Sequence, residues 1–181
     1  MLPMVLDPAL GLLAAASVAL LFASAAAHKL RDLRRFDEVF SAYGLLPRAR
    51  ISWLVPLLEV SVAAGLAVKV YRPYAAALAM LLLSAYAAAI AINLRRGRRD
   101  LACGCGGPDE RRPIAAWMVW RNILVALAAA AAAFVPWADR PLVMADGFTI
   151  VFGVLTIALI YLCADQLLGT AQRSAQLRSL R

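Results

Sequence analysis

Histidine is almost missing from this chain: His28 is the only one in 181 residues, and cysteine is held to three. A zinc site takes about four nitrogen or sulfur ligands, so the inventory argues against a protein-held metal centre beyond a half-site. Acidic residues are scarce, 11 against 19 basic ones, and lysine supplies only two of those cations. Asn and Gln together number five. Long polar stretches are lacking as well. That excludes a soluble module of any size, and no disordered tail is expected before about the last dozen residues.

What the chain has is apolar surface. It is 64% hydrophobic, well above the ~45–50% of soluble domains, and a membrane is the economical place to bury that much. Crossing a hydrocarbon core takes ~20 apolar residues per helix. Five stretches qualify, at about 8–27, 51–70, 74–92, 114–135 and 142–168. The expectation is one all-α integral membrane domain over 1–181, with five transmembrane helices and a four-helix-bundle core. Ala25-Ala26-Ala27 imitates a signal-peptide cleavage site. However, the segment before it carries Asp7 and no Lys or Arg, and the apolar run exceeds the ~7–15 residues of a signal core. A retained first helix is expected.

The net charge of +8 suggests nucleic acid until the charges are located. Lys29, Arg31, Arg34, Arg35, Arg48 and Arg50 fill the first connection, Arg95, Arg96, Arg98, Arg99, Arg111 and Arg112 the third, and Arg173, Arg178 and Arg181 the tail. The other side of a five-span topology holds Lys69, Arg72 and Arg140, so the count is 15 against 3. The positive-inside rule then puts the N-terminus outside and the C-terminus in the cytoplasm. Membrane topology accounts for the charge without nucleic acid.

Cys103-Gly104-Cys105 carries the most chemistry. Two of the three cysteines sit one residue apart in a glycine-rich loop with arginines on both flanks. Nearby cations favour the thiolate, which is the attacking species in disulfide exchange. Gly104, Gly106 and Gly107 allow the tight backbone that such close spacing demands. A relay pair is the expected role, against a metal half-site or an incidental pair of thiols. The charge rule puts this loop on the cytoplasmic side, where disulfides are normally kept reduced. Either the rule misleads here, or the protein works in a cytoplasm that uses disulfides.

Other candidates are single residues. Cys163, late in the fifth stretch, reads as a small buried apolar residue or as a third redox or cofactor-contacting thiol. Glu59 and Arg121 lie inside spans, where charge is expensive, at matched depths of ~13 Å from one face by helix rise. A Glu59–Arg121 pair is the simplest way to bury both. His28 ends the first stretch at that face, where an imidazole can move protons near neutral pH or serve as an interfacial residue. Trp117, Trp120 and Trp53 suit membrane anchoring or stacking on a quinone ring.

Several segments together resemble the MauE family of DoxX-like membrane proteins. They are His28-Lys29-Leu30 with Phe36 and Tyr43-Gly44-Leu45-Leu46-Pro47; Pro56-Leu57-Leu58-Glu59 with Gly65-Leu66; Asn93-Leu94-Arg95-Arg96-Gly97-Arg98; Cys103-Gly104-Cys105; and Trp120-Arg121-Asn122. Gly106 stands where the family is expected to carry a bulky aromatic. The resemblance implies a role in maturing disulfide-containing proteins beside a thioredoxin-fold partner. By fold-level analogy, the layout also looks like the quinone-linked DsbB and vitamin K epoxide reductase enzymes. The expected function is a membrane thiol–disulfide oxidoreductase. Electrons pass from the partner through Cys103 and Cys105 to a quinone near His28, Glu59, Trp117, Trp120 and Arg121. The alternative is a non-catalytic membrane chaperone or scaffold that docks the same partner.

Overall fold

A computed structural model describes residues 5–44, 51–104 and 113–179. Asp7 starts the first helix, α1 (Pro8–Arg31), by accepting a hydrogen bond from the Ala9 amide at 2.9 Å. Pro8 at the first helical position costs no hydrogen bond there. Asp32 ends α1 and caps the next helix, α2 (Leu33–Ala42), accepting from the Arg35 amide at 3.0 Å. This helix lies within what the sequence suggests is a basic connection. Its apolar positions Leu33, Phe36, Val39 and Phe40 recur at helical spacing among charges, the pattern of an amphipathic helix.

The second expected span is realised as a shorter helix, α3 (Leu54–Ala67). Its 14 residues rise about 21 Å, short of a ~30 Å hydrocarbon core. Turns take the rest of 51–70. Leu54 N donates to Ile51 O at 2.9 Å, and Tyr71 N to Val68 O at 3.0 Å. The remaining helices are α4 (Arg72–Arg95), α5 (Ala116–Phe134) and α6 (Met144–Ser179). Among the described residues, four helices are therefore long and apolar enough to cross a membrane: α1, α4, α5 and α6.

Helices α1, α3, α4 and α5 close a ring, with α1 on α3, α3 on α4, α4 on α5, and α5 back on α1. The four-helix-bundle core is present, and α6 packs outside it against α1. Small residues let the backbones approach, as membrane bundles favour. A Cβ on Gly65 would fall 2.7 Å from the Ala75 Cβ across the α3–α4 contact. Phe22, Val62, Leu66, Leu83 and a run of α4 alanines fill the centre. A separate small cluster of Ile90, Ile114 and Met118 sits where α4 ends and α5 begins.

Candidate functional site

The end of the bundle where α1 and α4 finish is built around a glycine cap. Gly97 takes φ +74, its amide donates to Leu94 O, and Arg98 N donates to Asn93 O at 3.0 Å. That paired closure satisfies the last carbonyls of α4. It also aims the Arg98 guanidinium at α2, where it donates to Ala42 O at 2.7 Å, Tyr43 O at 3.3 Å and Asn93 Oδ1 at 3.1 Å. Asn93 Nδ2 donates to Tyr43 O as well. The Asn93–Arg98 motif is thus a clamp on the C-terminal carbonyls of α2.

The clamp positions the cysteine loop. Tyr43 turns its hydroxyl to donate to Cys103 O at 3.3 Å, and burial pushes its phenol up to about 12 against the opposing charge of Arg121. Gly104 needs its missing side chain: its φ is +66, and a Cβ would lie 2.9 Å from Val39 Cγ1 of α2. Ile114 N donates to Leu101 O at 3.0 Å, and Ala102 bridges Pro113. These contacts pinch off the loop at its base. Cys103 is disulfide-bonded, and Cys105 lies outside the described residues. Cys103 and Trp117 both pack against the cluster of Ile90, Ile114 and Met118.

The buried charges pair differently from the sequence expectation. Glu59, 1% exposed, accepts from Lys29 Nζ at 2.7 and 2.9 Å and from Tyr86 OH at 2.8 Å. Lys29 in turn lies over the rings of Phe36 and Tyr86. Arg121 pairs with Asp165 of α6 at 3.3 Å and lies over Trp117 and Tyr161. Equal depth alone did not set the partners. Lys29 extends back from the end of α1 to the α3 carboxylate, while Asp165, an acid inside the last apolar stretch, satisfies Arg121. Both signals were present in the sequence, as charges within or beside apolar runs.

Among the other expected residues, His28 is half-buried in the last turn of α1 beside Lys29. Trp120 is 67% exposed and Trp53 also faces outward, so the ring available inside is Trp117. Cys163 is a free thiol exposed on α6 rather than a buried packing residue; α6 lies outside the bundle, and this position faces away from it.

Among the described residues, the side-chain nitrogens of Trp117 (Nε1) and Asn122 (Nδ2) are buried with no hydrogen-bond partner. Buried polar groups are nearly always satisfied, and one that is not calls for a reason. A quinone fits this donor set, because its two carbonyl oxygens accept hydrogen bonds and its ring suits an apolar wall.

The family model described as methylamine utilisation protein MauE matches residues 7–137. A methylamine utilization protein MauE of Paracoccus denitrificans is 37% identical over 168 residues, covering 88% of this chain and 90% of that protein. Its counterpart in Methylophilus methylotrophus is 34% identical, covering 92% and 90%. The one in Methylorubrum extorquens is 36% identical, covering 86% of each. No solved structure matches the chain.

Proposed function

Since the chain belongs to the MauE family, we propose that it is a membrane accessory protein whose chemistry is thiol–disulfide exchange, making disulfides for a thioredoxin-fold partner with a quinone as final acceptor. The observation that carries this reading is the shared apolar cluster, against which both disulfide-bonded Cys103 and Trp117 pack. The relatives are named for methylamine utilisation, and we assign this chain the same kind of maturation role.

In the proposed exchange, a thiolate of the partner attacks the Cys103–Cys105 disulfide. One S–S bond breaks, a mixed disulfide forms, and one cysteine of the pair leaves as thiolate. The partner's second thiol then resolves the mixed disulfide, so the partner loses two electrons and two protons and the pair becomes a dithiol. Tyr43 keeps hold of the Cys103 carbonyl through this change, and Gly104 keeps the loop seated on Val39. Trp117, with Arg121 stacked beside it, would hold a quinone ring against the cluster. A quinone, when bound, supplies the acceptor for two electrons and two protons. Glu59, Lys29 and His28 lie at the same end and maintain a polar, charged interior there. The basic connections direct this end to the cytoplasm; a membrane-impermeant thiol label on intact cells reads the side directly.

The test is dithiol-driven quinone reduction by wild type, Cys103→Ser, Cys105→Ser and Cys163→Ala in one detergent. Loss in either loop variant, retained turnover in Cys163→Ala, and a mixed disulfide trapped between the wild-type chain and a partner lacking its second thiol are expected. Full turnover in the Cys103→Ser, Cys105→Ser double variant would put the scaffold reading ahead.

A further inference from the structure

The interior charges at this end are already matched. Lys29 is held by Glu59, and Arg121 by Asp165. Among the described residues, the buried donors left open are both neutral, the Trp117 indole N–H and the Asn122 carboxamide N–H. Asn122 is 4% exposed, so water does not satisfy it from the surface. It stands one helical turn beyond buried Met118 on the same face of α5, which continues the wall formed by Ile90 and Ile114. Two neutral donors beside an apolar wall suit a neutral carbonyl acceptor. A carboxylate or phosphate would call for a free cation.

Spacing narrows the ligand further. Trp117 and Asn122 are five residues apart, about 7.5 Å of axial rise and roughly 140° of rotation. That arrangement suits acceptors at two ends of a ring better than one oxygen atom. We infer that Asn122 and Trp117 are the two hydrogen-bond donors of a carbonyl-ligand subsite, with a para-dicarbonyl ring, a quinone, held between them along the Met118 face. The inference rests on the quinone reading above and assigns Asn122 a role that its place in the Trp120-Arg121-Asn122 run does not show.

A donor kept unpaired for a ligand destabilises the ligand-free protein, because its desolvation is not offset. Replacing it with an apolar residue should therefore raise ligand-free stability while weakening binding, whereas a purely structural residue would lower stability. The experiment compares wild type, Asn122→Leu, Trp117→Phe and the control Trp120→Phe. Each is melted without ligand and then titrated with two short-tailed probes, ubiquinone-1 and menaquinone-1. Asn122→Leu and Trp117→Phe should each melt above wild type and bind the accepted probe about five- to tenfold more weakly, the loss of one hydrogen bond. Trp120→Phe should change neither. Wild-type affinity in both inner variants would overturn the subsite while leaving the quinone reading in place. Affinity lost together with a lower melting temperature in both would also overturn it, by showing a structural role. If wild type binds neither probe, the quinone reading itself falls, and the subsite with it.

Discussion

The two ends of the bundle are built on opposite terms. At one, Arg140 donates to Asp7 at 2.8 Å through both Nε and Nη2 and to Asp146 at 2.7 and 3.0 Å. Arg72 lies 4.4 Å over the Trp137 ring, and Leu6 exchanges backbone hydrogen bonds with the Pro136–Ala138 segment. A single guanidinium there ties the start of α1 to the start of α6. At the other end, α2 lies across the surface, a glycine with positive φ carries the cysteine loop, and two buried donors are unpaired. Natural proteins concentrate unmet bonds and constrained backbone where chemistry happens and close them elsewhere. The contrast makes one end the fastening and, on the function proposed above, the other the working site.

The largest effect should come from the charge buried at the working end. Glu59→Gln strands Lys29 among Phe36 and Tyr86 and should cost about 3–5 kcal/mol, the usual penalty for halving a buried pair. Melting in detergent reads it. The Lys29→Met, Glu59→Leu double variant should recover most of the loss, and a double variant as unstable as the single would mean the pair does more than balance charge. Gly104→Ala comes next, at about 1–2 kcal/mol for a side chain forced into the left-handed region. Adding Val39→Ala should relieve the contact at 2.9 Å but not the backbone strain, so rescue should be partial.

Tyr43→Phe should cost about 1 kcal/mol, one hydrogen bond. It also carries a pH signature. The folded phenol stays neutral up to about 12, against an ordinary value of 10.0. Stability from this group is therefore complete below pH 10.0 and declines as pH rises from there toward about 12; Tyr43→Phe should shallow that decline in an alkaline melting series. The smallest effect on turnover belongs to the fastening end. Arg140→Gln should lower the melting temperature yet leave dithiol-driven quinone reduction unchanged. The hydrogen bonds from Arg140 hold the Asp7 carboxyl below its ordinary 3.8. The stabilisation they give is present above that pH and fades as pH falls through the lowered value, a fade that Arg140→Gln should weaken, leaving the part due to the Ala9 amide. Loss of turnover in Arg140→Gln would erase the distinction between the ends.

The membrane character and a four-helix-bundle core are legible in the sequence because apolar length and short connections specify both. The length of α3 is not legible there, since a run of apolar residues does not reveal that Ile51–Trp53 and Val68–Tyr71 are turns. Nor is α2, whose Leu33, Phe36, Val39 and Phe40 recur at helical spacing in a segment too short and too charged to register as a span. Asp32 at its start was the available cue. Glu59 and Arg121 were recognisable as interior charges, but depth along two helices says nothing about rotation around them. Lys29 and Asp165 therefore took the partners that arithmetic had assigned to each other. The unpaired state of Asn122 is a property of packing, and no pattern of residue types announces it.

Asp32 closes α1 and opens α2 with no residue between them, through a single backbone setting of φ −143 and ψ 75. Insert one amino acid there and α2 turns by about 100°. Val39 then leaves Gly104, and the Ala42 and Tyr43 carbonyls leave Arg98. Lys29 and Tyr43 are held at both ends, by Glu59 and by Asn93 with Arg98. A stretch of chain that looks like an ordinary basic surface connector is therefore intolerant of any change in length. Among descendants of this sequence, substitutions should accumulate along it while insertions and deletions do not.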